Sequence, residues 1–365
     1  MGLKVGIVGL PNIGKSTLFN AITNSRVEAA NYPFATIKPN VGVVEVPDER
    51  LEKMAEIFSS KKTIYPTIEF VDIAGLIAGA SKGEGLGNAF LSNIRETDLI
   101  CHVVRCFNNK DITHVDGNVD PIRDIETIQL ELIYADESSV EKRIAKLSPK
   151  AKNTKEKAIV QEYEILQKIK AGLANAKMVN QLDWKEEEQE IIESFQLLTY
   201  KKIIFVGNVS EEDLTTTNEN YNKLEKYAKD NNLICIKVCA KLEEEISELS
   251  KEEKMMFLKE VGANNTGLEM LVKAAYNELG LQTYFTCGPQ EARGWQFQKG
   301  YTAPKCAGII HTDFEKGFIK AEIYSCDDLF EYKSEAELKN KGKIRLEGKG
   351  YVVKDGDVCL FKFNK

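Results

Sequence analysis

The sequence predicts an α/β protein in three parts: a nucleotide-binding domain with a phosphate loop, a helical hairpin inserted into it, and a small mixed domain from Gln282 onward. Three observations predict this. Residues Gly9 to Thr17 read GLPNIGKST and lie between an apolar strand and the start of a helix. Residues 128–200 carry apolar positions at helical spacing with few glycines, and from Gln282 the pattern changes to short alternating runs broken by Gly and charged turns. The expected boundaries are 1–127 with 201–281 for the nucleotide domain, 128–200 for the insertion and 282–365 for the terminal domain.

The phosphate loop comes first because it fixes most of the chemistry. Leu3 to Val8 read as a buried strand, Thr17 to Ile22 as the start of a helix, and Gly9, Gly14, Lys15 and Ser16 stand at the spacings of G-x-x-x-x-G-K-[ST]. Small residues let successive backbone N–H groups, here those of Asn12, Ile13, Gly14, Lys15, Ser16 and Thr17, curl round phosphate oxygens at the positive end of a helix. Lys15 supplies a point charge for the outer phosphates, and the Ser16 hydroxyl is placed to ligate Mg²⁺.

A second apolar strand, Ile68 to Asp72, ends in a carboxylate and runs on through Ile73-Ala74-Gly75. An Asp at that strand end holds Mg²⁺ through water, and the Gly75 backbone N–H can approach a γ-phosphate. Between these strands, Asn31 to Asn40 form a proline-broken polar stretch that cannot be regular helix. Thr36 is its candidate Mg²⁺ ligand, engaged only while the γ-phosphate is present. The residue after Gly75 is Leu76, where many related hydrolases place a Gln that orients the attacking water.

The base is read further on. The strand Lys202 to Gly207 runs into Asn208-Val209-Ser210-Glu211, where guanine-specific relatives carry N-K-x-D. Val209 cannot pack over the base as a Lys stem does, and Glu211 sets its carboxylate one methylene too far out for paired contacts to guanine. The Asn208 amide is expected to read adenine, with Val209, Cys239 and Ala240 lining the base. ATP is therefore favoured over GTP.

Within the insertion, Ile133, Val140, Ile144 and Leu147 form one stripe, and Ile159, Tyr163, Leu166, Ile169 and Leu173 form another. Pro149 and Lys150 to Lys155 lie between the stripes as a basic tip suited to RNA phosphates. In the terminal domain, Gly308 to His311, Phe318 to Ile323 and Tyr351 to Asp357 read as strands. Arg293, Trp295, Lys299 and Tyr301 give a weak aromatic and basic signal for RNA contact.

With GLPNIGKSTLFNA, NYPFATIKPN, DIAGLIAGASKGEGLGNAFL, the altered base motif NVSE and the tail from Gln282 in view, the chain resembles the YchF group of Obg-like ATPases over nearly its whole length. The resemblance implies an α/β fold: a P-loop G-protein-like domain, an inserted α-helical coiled-coil hairpin and a C-terminal β-grasp (TGS) domain. It implies Mg²⁺-dependent ATP hydrolysis and association with ribosomes through rRNA and ribosomal proteins. It also implies that a histidine, here His114, orients the attacking water in place of Gln, and that Asn12 binds K⁺ as in potassium-stimulated members of the class. Asn12 has a second reading, in which it only stabilises the loop by side chain to backbone hydrogen bonds. Two rivals stand beside the ATPase reading: a conventional GTPase translation factor, and a nucleotide-gated binding module with incidental turnover.

Bulk properties exclude other classes. At 365 residues, with 43% hydrophobic and 29% charged residues, the chain has the composition of a soluble protein of two or three domains. It has no run long enough to span a membrane and no signal segment before the first strand, so a cytoplasmic monomer is expected. Eight scattered cysteines without a C-x-x-C pair and only 3 histidines support free thiols and no zinc site. A net charge of −7 argues against indiscriminate nucleic-acid binding and leaves room for a local basic face.

Overall fold

A computed structural model describes residues 3–24, 40–73, 86–109, 111–114, 117–153, 156–260 and 265–364. The chain opens with β1 (Lys4–Val8), α1 (Lys15–Asn24), β2 (Val41–Glu45), α2 (Glu49–Phe58), β3 (Thr63–Ile64), β4 (Thr67–Asp72), α3 (Leu86–Arg95) and β5 (Leu99–Arg105). It continues with α4 (Pro121–Ala151), α5 (Lys157–Ala174), α6 (Glu186–Ser194), β6 (Lys202–Asn208), α7 (Glu212–Thr215), α8 (Glu219–Asp230), β7 (Ile234–Val238), α9 (Ala240–Ser247), α10 (Lys251–Glu260) and α11 (Gly267–Glu278). The terminal part holds β8 (Leu281–Cys287), β9 (Ala292–Gln298), α12 (Ala303–Ile310), α13 (Thr312–Lys316), β10 (Phe318–Ser325), α14 (Cys326–Tyr332), α15 (Glu335–Asn340), β11 (Arg345–Glu347) and β12 (Asp357–Phe363).

These elements fall into two units, and in one the strands run in the order β2-β4-β1-β5-β6-β7. The pairs β1/β4, β1/β5, β5/β6 and β6/β7 are all parallel. A parallel sheet buries both faces, which explains why β5, Leu-Ile-Cys-His-Val-Val-Arg, is buried at every position despite carrying His102 and Arg105. Burial pushes the His102 imidazole down to about 3, so it enters the core as a neutral ring beside Phe205. Because the strands share one direction, their carboxyl ends bring Gly9, Asp72, Arg105, Asn208 and Cys239 to a single edge, where α/β folds bind ligands.

The helical insertion starts earlier than expected. The Asp120 side chain accepts from the N–H groups of Ile122 and Arg123, and Pro121 stands in the first turn, so α4 begins there and not near Ile128. It also runs through Pro149 to Ala151, so Pro149 is not part of a tip loop. A proline this close to a helix end removes a single backbone bond, and the Asn153 side chain then donates to the Pro149 carbonyl. The expected stripes do pack α4 on α5: Ile133 and Val140 are buried, as are Leu166, Ile169 and Leu173, while Ile144, Leu147, Ile159 and Tyr163 nearer the tip are only half-buried.

One buried acid anchors this helix. Asp136 is 0% exposed and accepts from Leu198 N at 3.2 Å, Thr199 N at 2.7 Å and Thr199 Oγ1 at 2.7 Å. Burial pushes its carboxyl upward, and those hydrogen bonds pull the other way. They tie α4 to the short 3-10 turn Leu198–Tyr200 that leads into β6.

The second unit contains residues 43–68 and 272–364, which corrects the expected 1–127 boundary. The reason is apolar: Leu51 and Met54 of α2 are fully buried in one cluster with Phe285, Tyr324, Leu329 and Val358, and β3 pairs with β9. Arg50 fixes this helix by donating to both Asp48 and Asp355. The mixed sheet order is β11-β10-β12-β8-β9-β3, with β12 and β8 parallel and β8 and β9 antiparallel, in keeping with the β-grasp expectation.

Two expected strands are absent from this sheet. Gly308 to Ile310 lie in α12, where Pro304 sits in the first turn and Ala303, Cys306 and Ala307 bury one helical face. Tyr351 to Gly356 form a turn held by Lys354 N donating to Asp357, and only Asp357 begins a strand. Trp295 stacks on Tyr284 with Arg293 over its other face at 4.0 Å, so the pair of residues expected to meet RNA is partly absorbed into packing.

Candidate nucleotide site

The loop from Gly9 to Thr17 joins the end of β1 to α1, whose first residue is Lys15 and whose second is Ser16. Leu18 N donates to the Gly14 carbonyl, and the Ser16 hydroxyl is exposed in the first turn. Gly14 has φ of 89°, and a Cβ there would lie 2.2 Å from Asn208 Nδ2. Both the left-handed backbone and the close approach require glycine. Gly9 is equally confined, since its Cβ would meet the Val103 carbonyl at 2.7 Å.

Lys15 Nζ donates to Asp72 Oδ1, so the cation expected on phosphate and the carboxylate expected on Mg²⁺ meet at one place. Ser16 and Asp72 together offer hard oxygen donors, the ligand type Mg²⁺ takes. Thr36 and Gly75, with Leu76, lie outside the described residues.

The structure corrects the expected role of Asn208. Its side chain is 4% exposed, Nδ2 donates to the Ile13 carbonyl at 2.8 Å, and Oδ1 accepts from Ala240 N at 3.0 Å. The amide that was expected to read adenine thus ties three segments together: the phosphate loop, β6 and the start of α9. Ala240 correspondingly directs its N–H at Asn208 and not at a base. Val209 and Cys239 are buried beside this tie, Val209 N donating to the Val238 carbonyl, and the thiol of Cys239 is pushed up by burial. Glu211 is exposed immediately before α7, while Asp213 accepts from Ser210 and Asn218. The carboxylate one step beyond Val209 is therefore directed outward.

His114 is also corrected. The sequence places it in a polar loop, but it is 4% exposed, with Nε2 2.9 Å from Asp124 Oδ2 and Nδ1 3.4 Å from Arg123 Nη2. It adjoins the phosphate loop all the same, because Asn12 Nδ2 donates to the Thr113 carbonyl at 3.2 Å. That contact fits the loop-stabilising reading of Asn12, whose φ of 62° the same bond supports.

Two residues missed in the sequence complete this segment. Arg105, 1% exposed at the end of β5, donates to the carbonyls of Phe107, Asn109 and Ile112 and stacks on the Phe107 ring at 4.5 Å. Asp124 stands in the first turn of α4 and holds His114. The only sequence signal for Asp124 was the helix start Asp120-Pro121 four residues before it.

Comparison with known proteins places this geometry. The YchF-GTPase_C family model, described as a protein of unknown function, matches residues 281–364, and a model described as 50S ribosome-binding GTPase matches residues 4–136. A relative named "Ribosome-binding ATPase YchF" from Bacillus subtilis is 56% identical over 366 residues and covers 100% of both chains. The chain belongs to the YchF family.

A YchF relative of the same name from Pasteurella multocida is 51% identical over 364 residues, again with 100% of both chains covered. A solved structure titled "Structure of the Schizosaccharomyces pombe YchF GTPase" superimposes with a TM-score of 0.91 at 41% identity, covering 99% of this chain and 98% of that one. The YchF fold class expected from the sequence therefore holds across both units. Among the described residues no helix is long and apolar enough to cross a membrane, and no cluster of His, Cys, Asp or Glu is arranged to hold a metal by itself.

Proposed function

We propose that the protein is a cytoplasmic, Mg²⁺-dependent ATPase that acts as a nucleotide-controlled switch on ribosomes. The observation that carries this reading is the meeting of Lys15 with Asp72 beside a phosphate loop that Asn208 pins in place. YchF relatives that match from end to end are named ribosome-binding ATPases. Backbone N–H groups from Asn12 to Thr17 hold the phosphates, and Lys15 exchanges Asp72 for phosphate oxygens when nucleotide enters. Ser16, Thr36 and Asp72 would hold Mg²⁺, which neutralises charge on the phosphates during transfer. K⁺ beside Asn12 would add to that charge. Gly75 approaches the γ-phosphate, and His114 orients the attacking water, a job Leu76 cannot do.

ATP is preferred because the guanine clamp is gone: Val209 has no stem to cover the base, and Glu211 is exposed at the head of a short helix. Titles that say GTPase support the competing reading, in which guanine is accepted by backbone groups alone.

The arm formed by α4 and α5 supplies the ribosome contact. From Pro121 to Glu141 the sequence has six acidic residues and one basic residue, whereas from Lys142 to Lys157 it has seven basic and one acidic. Charge is thus segregated along the arm with the basic end outward, which suits RNA phosphates even though the chain as a whole is acidic. Reversing Lys146, Lys150 and Lys152 to Glu, all exposed, should weaken co-sedimentation with ribosomes by ~tenfold or more and flatten its salt dependence, with ATP turnover off the ribosome unchanged. Ribosome binding that survives the triple reversal at every salt concentration would contradict the placement.

A further inference from the structure

Ten residues separate His114 from Asp124 in sequence, yet the two side chains are buried against each other, 2% and 3% exposed, with Nε2 2.9 Å from Oδ2. A carboxylate has no hydrogen to give in this contact, so the proton must lie on Nε2, and Nδ1 is then the nitrogen that carries the lone pair. Asp124 is itself held. Its N–H donates to the Asp120 carbonyl in the capped first turn of α4, and its second oxygen accepts from Arg123 Nη2 at 3.1 Å. Arg123 is fastened in turn to Asn118, through the side-chain oxygen at 2.8 Å and the carbonyl at 2.7 Å. Its guanidinium stands 3.4 Å from Nδ1, at the long end of hydrogen bonding.

We propose that Asp124 is a positioning residue for hydrolysis, fixing the ring and the tautomer of His114 so that Nδ1 is the nitrogen available to a water. The logic is that of any carboxylate that orients an imidazole through the nitrogen facing away from the reaction. This inference rests on the reading of His114 as the water-orienting group. It adds a route for control, because Asp124 belongs to α4, whose far end is the basic tip of the arm. A partner that tilts the arm moves the acceptor on which the ring is aligned.

The test uses the full chain, with ATP turnover measured beside the ¹⁵N imidazole spectrum, which holds only three histidines. In the unsubstituted protein His114 should show the Nε2–H tautomer; an Nδ1–H ring there overturns the proposal whatever the variants do. Asp124→Asn should lower kcat by about tenfold or more with KM for ATP unchanged within about twofold, and should erode the Nε2–H signature. Asp124→Glu, which keeps the carboxylate, should restore part of both. If His114→Ala lowers kcat but Asp124→Asn does not, or raises it, Asp124 does not position the ring for catalysis. If His114→Ala itself leaves turnover intact, the reading of His114 fails, and the tautomer measurement still shows whether Asp124 sets the ring.

Discussion

Asn208→Ala should weaken ATP and GTP binding alike, by roughly tenfold or more, and lower the stability of the protein by about 2–6 kcal/mol. The amide joins the Ile13 carbonyl to the Ala240 N–H, and both of those groups are left without it in a buried place. An unsatisfied buried backbone group costs about 1–3 kcal/mol, and there are two. The phosphate loop also loses its only described side-chain link to β6, so the N–H cradle is no longer held in shape before phosphate arrives. Calorimetric titrations with each nucleotide, beside thermal melts, measure both effects. A loss confined to ATP, with stability unchanged, would return Asn208 to the role of adenine reader and remove its structural one.

Gly14→Ala should be more damaging to binding, with ATP affinity falling by about a hundredfold or more. Two penalties add at this position. The backbone has φ of 89°, which an L side chain resists, and the new methyl would sit 2.2 Å from Asn208 Nδ2. Asn208 cannot withdraw without breaking its bonds to Ile13 and Ala240, so the strain passes into the loop itself. Fluorescent-nucleotide binding at fixed Mg²⁺ reads the result. Near-normal affinity in this variant would mean that the loop relaxes freely, and that the pinning by Asn208 is not what shapes it.

These two residues also show where a sequence is legible and where it is not. The loop itself could be read because its chemistry is local: Gly9, Gly14, Lys15 and Ser16 carry their function within a single turn of chain, and Asp72 ends an unmistakable apolar strand. Asn208 was assigned to the base because its partners lie 195 and 32 residues away, and no spacing reveals that its amide is already engaged. His114 was read as a solvated loop residue for a similar reason, its burial being created by the first turn of α4.

The same limit explains the misread elements. Residues 43–68 precede β4 in the chain, yet Leu51 and Met54 find their apolar partners in Phe285 and Leu329, a pairing that sequence order hides. Gly308-Ile309-Ile310 looks like strand by composition, since glycine disfavours helix and isoleucine favours sheet. The burial of Ala303, Cys306 and Ala307 on one face of α12 overrides that preference. By contrast, the stripes on α4 and α5 were long enough for period alone to settle them, and only their ends moved.

The central claim is a phosphate loop joined to a base pocket that has lost the acidic clamp for guanine. Calorimetric titration of the unsubstituted protein with ATP and with GTP, both in Mg²⁺ and K⁺, tests it most directly. ATP should bind at least about tenfold more tightly than GTP, a difference of ~1.4 kcal/mol. GTP binding as tight as ATP, or tighter, would contradict it.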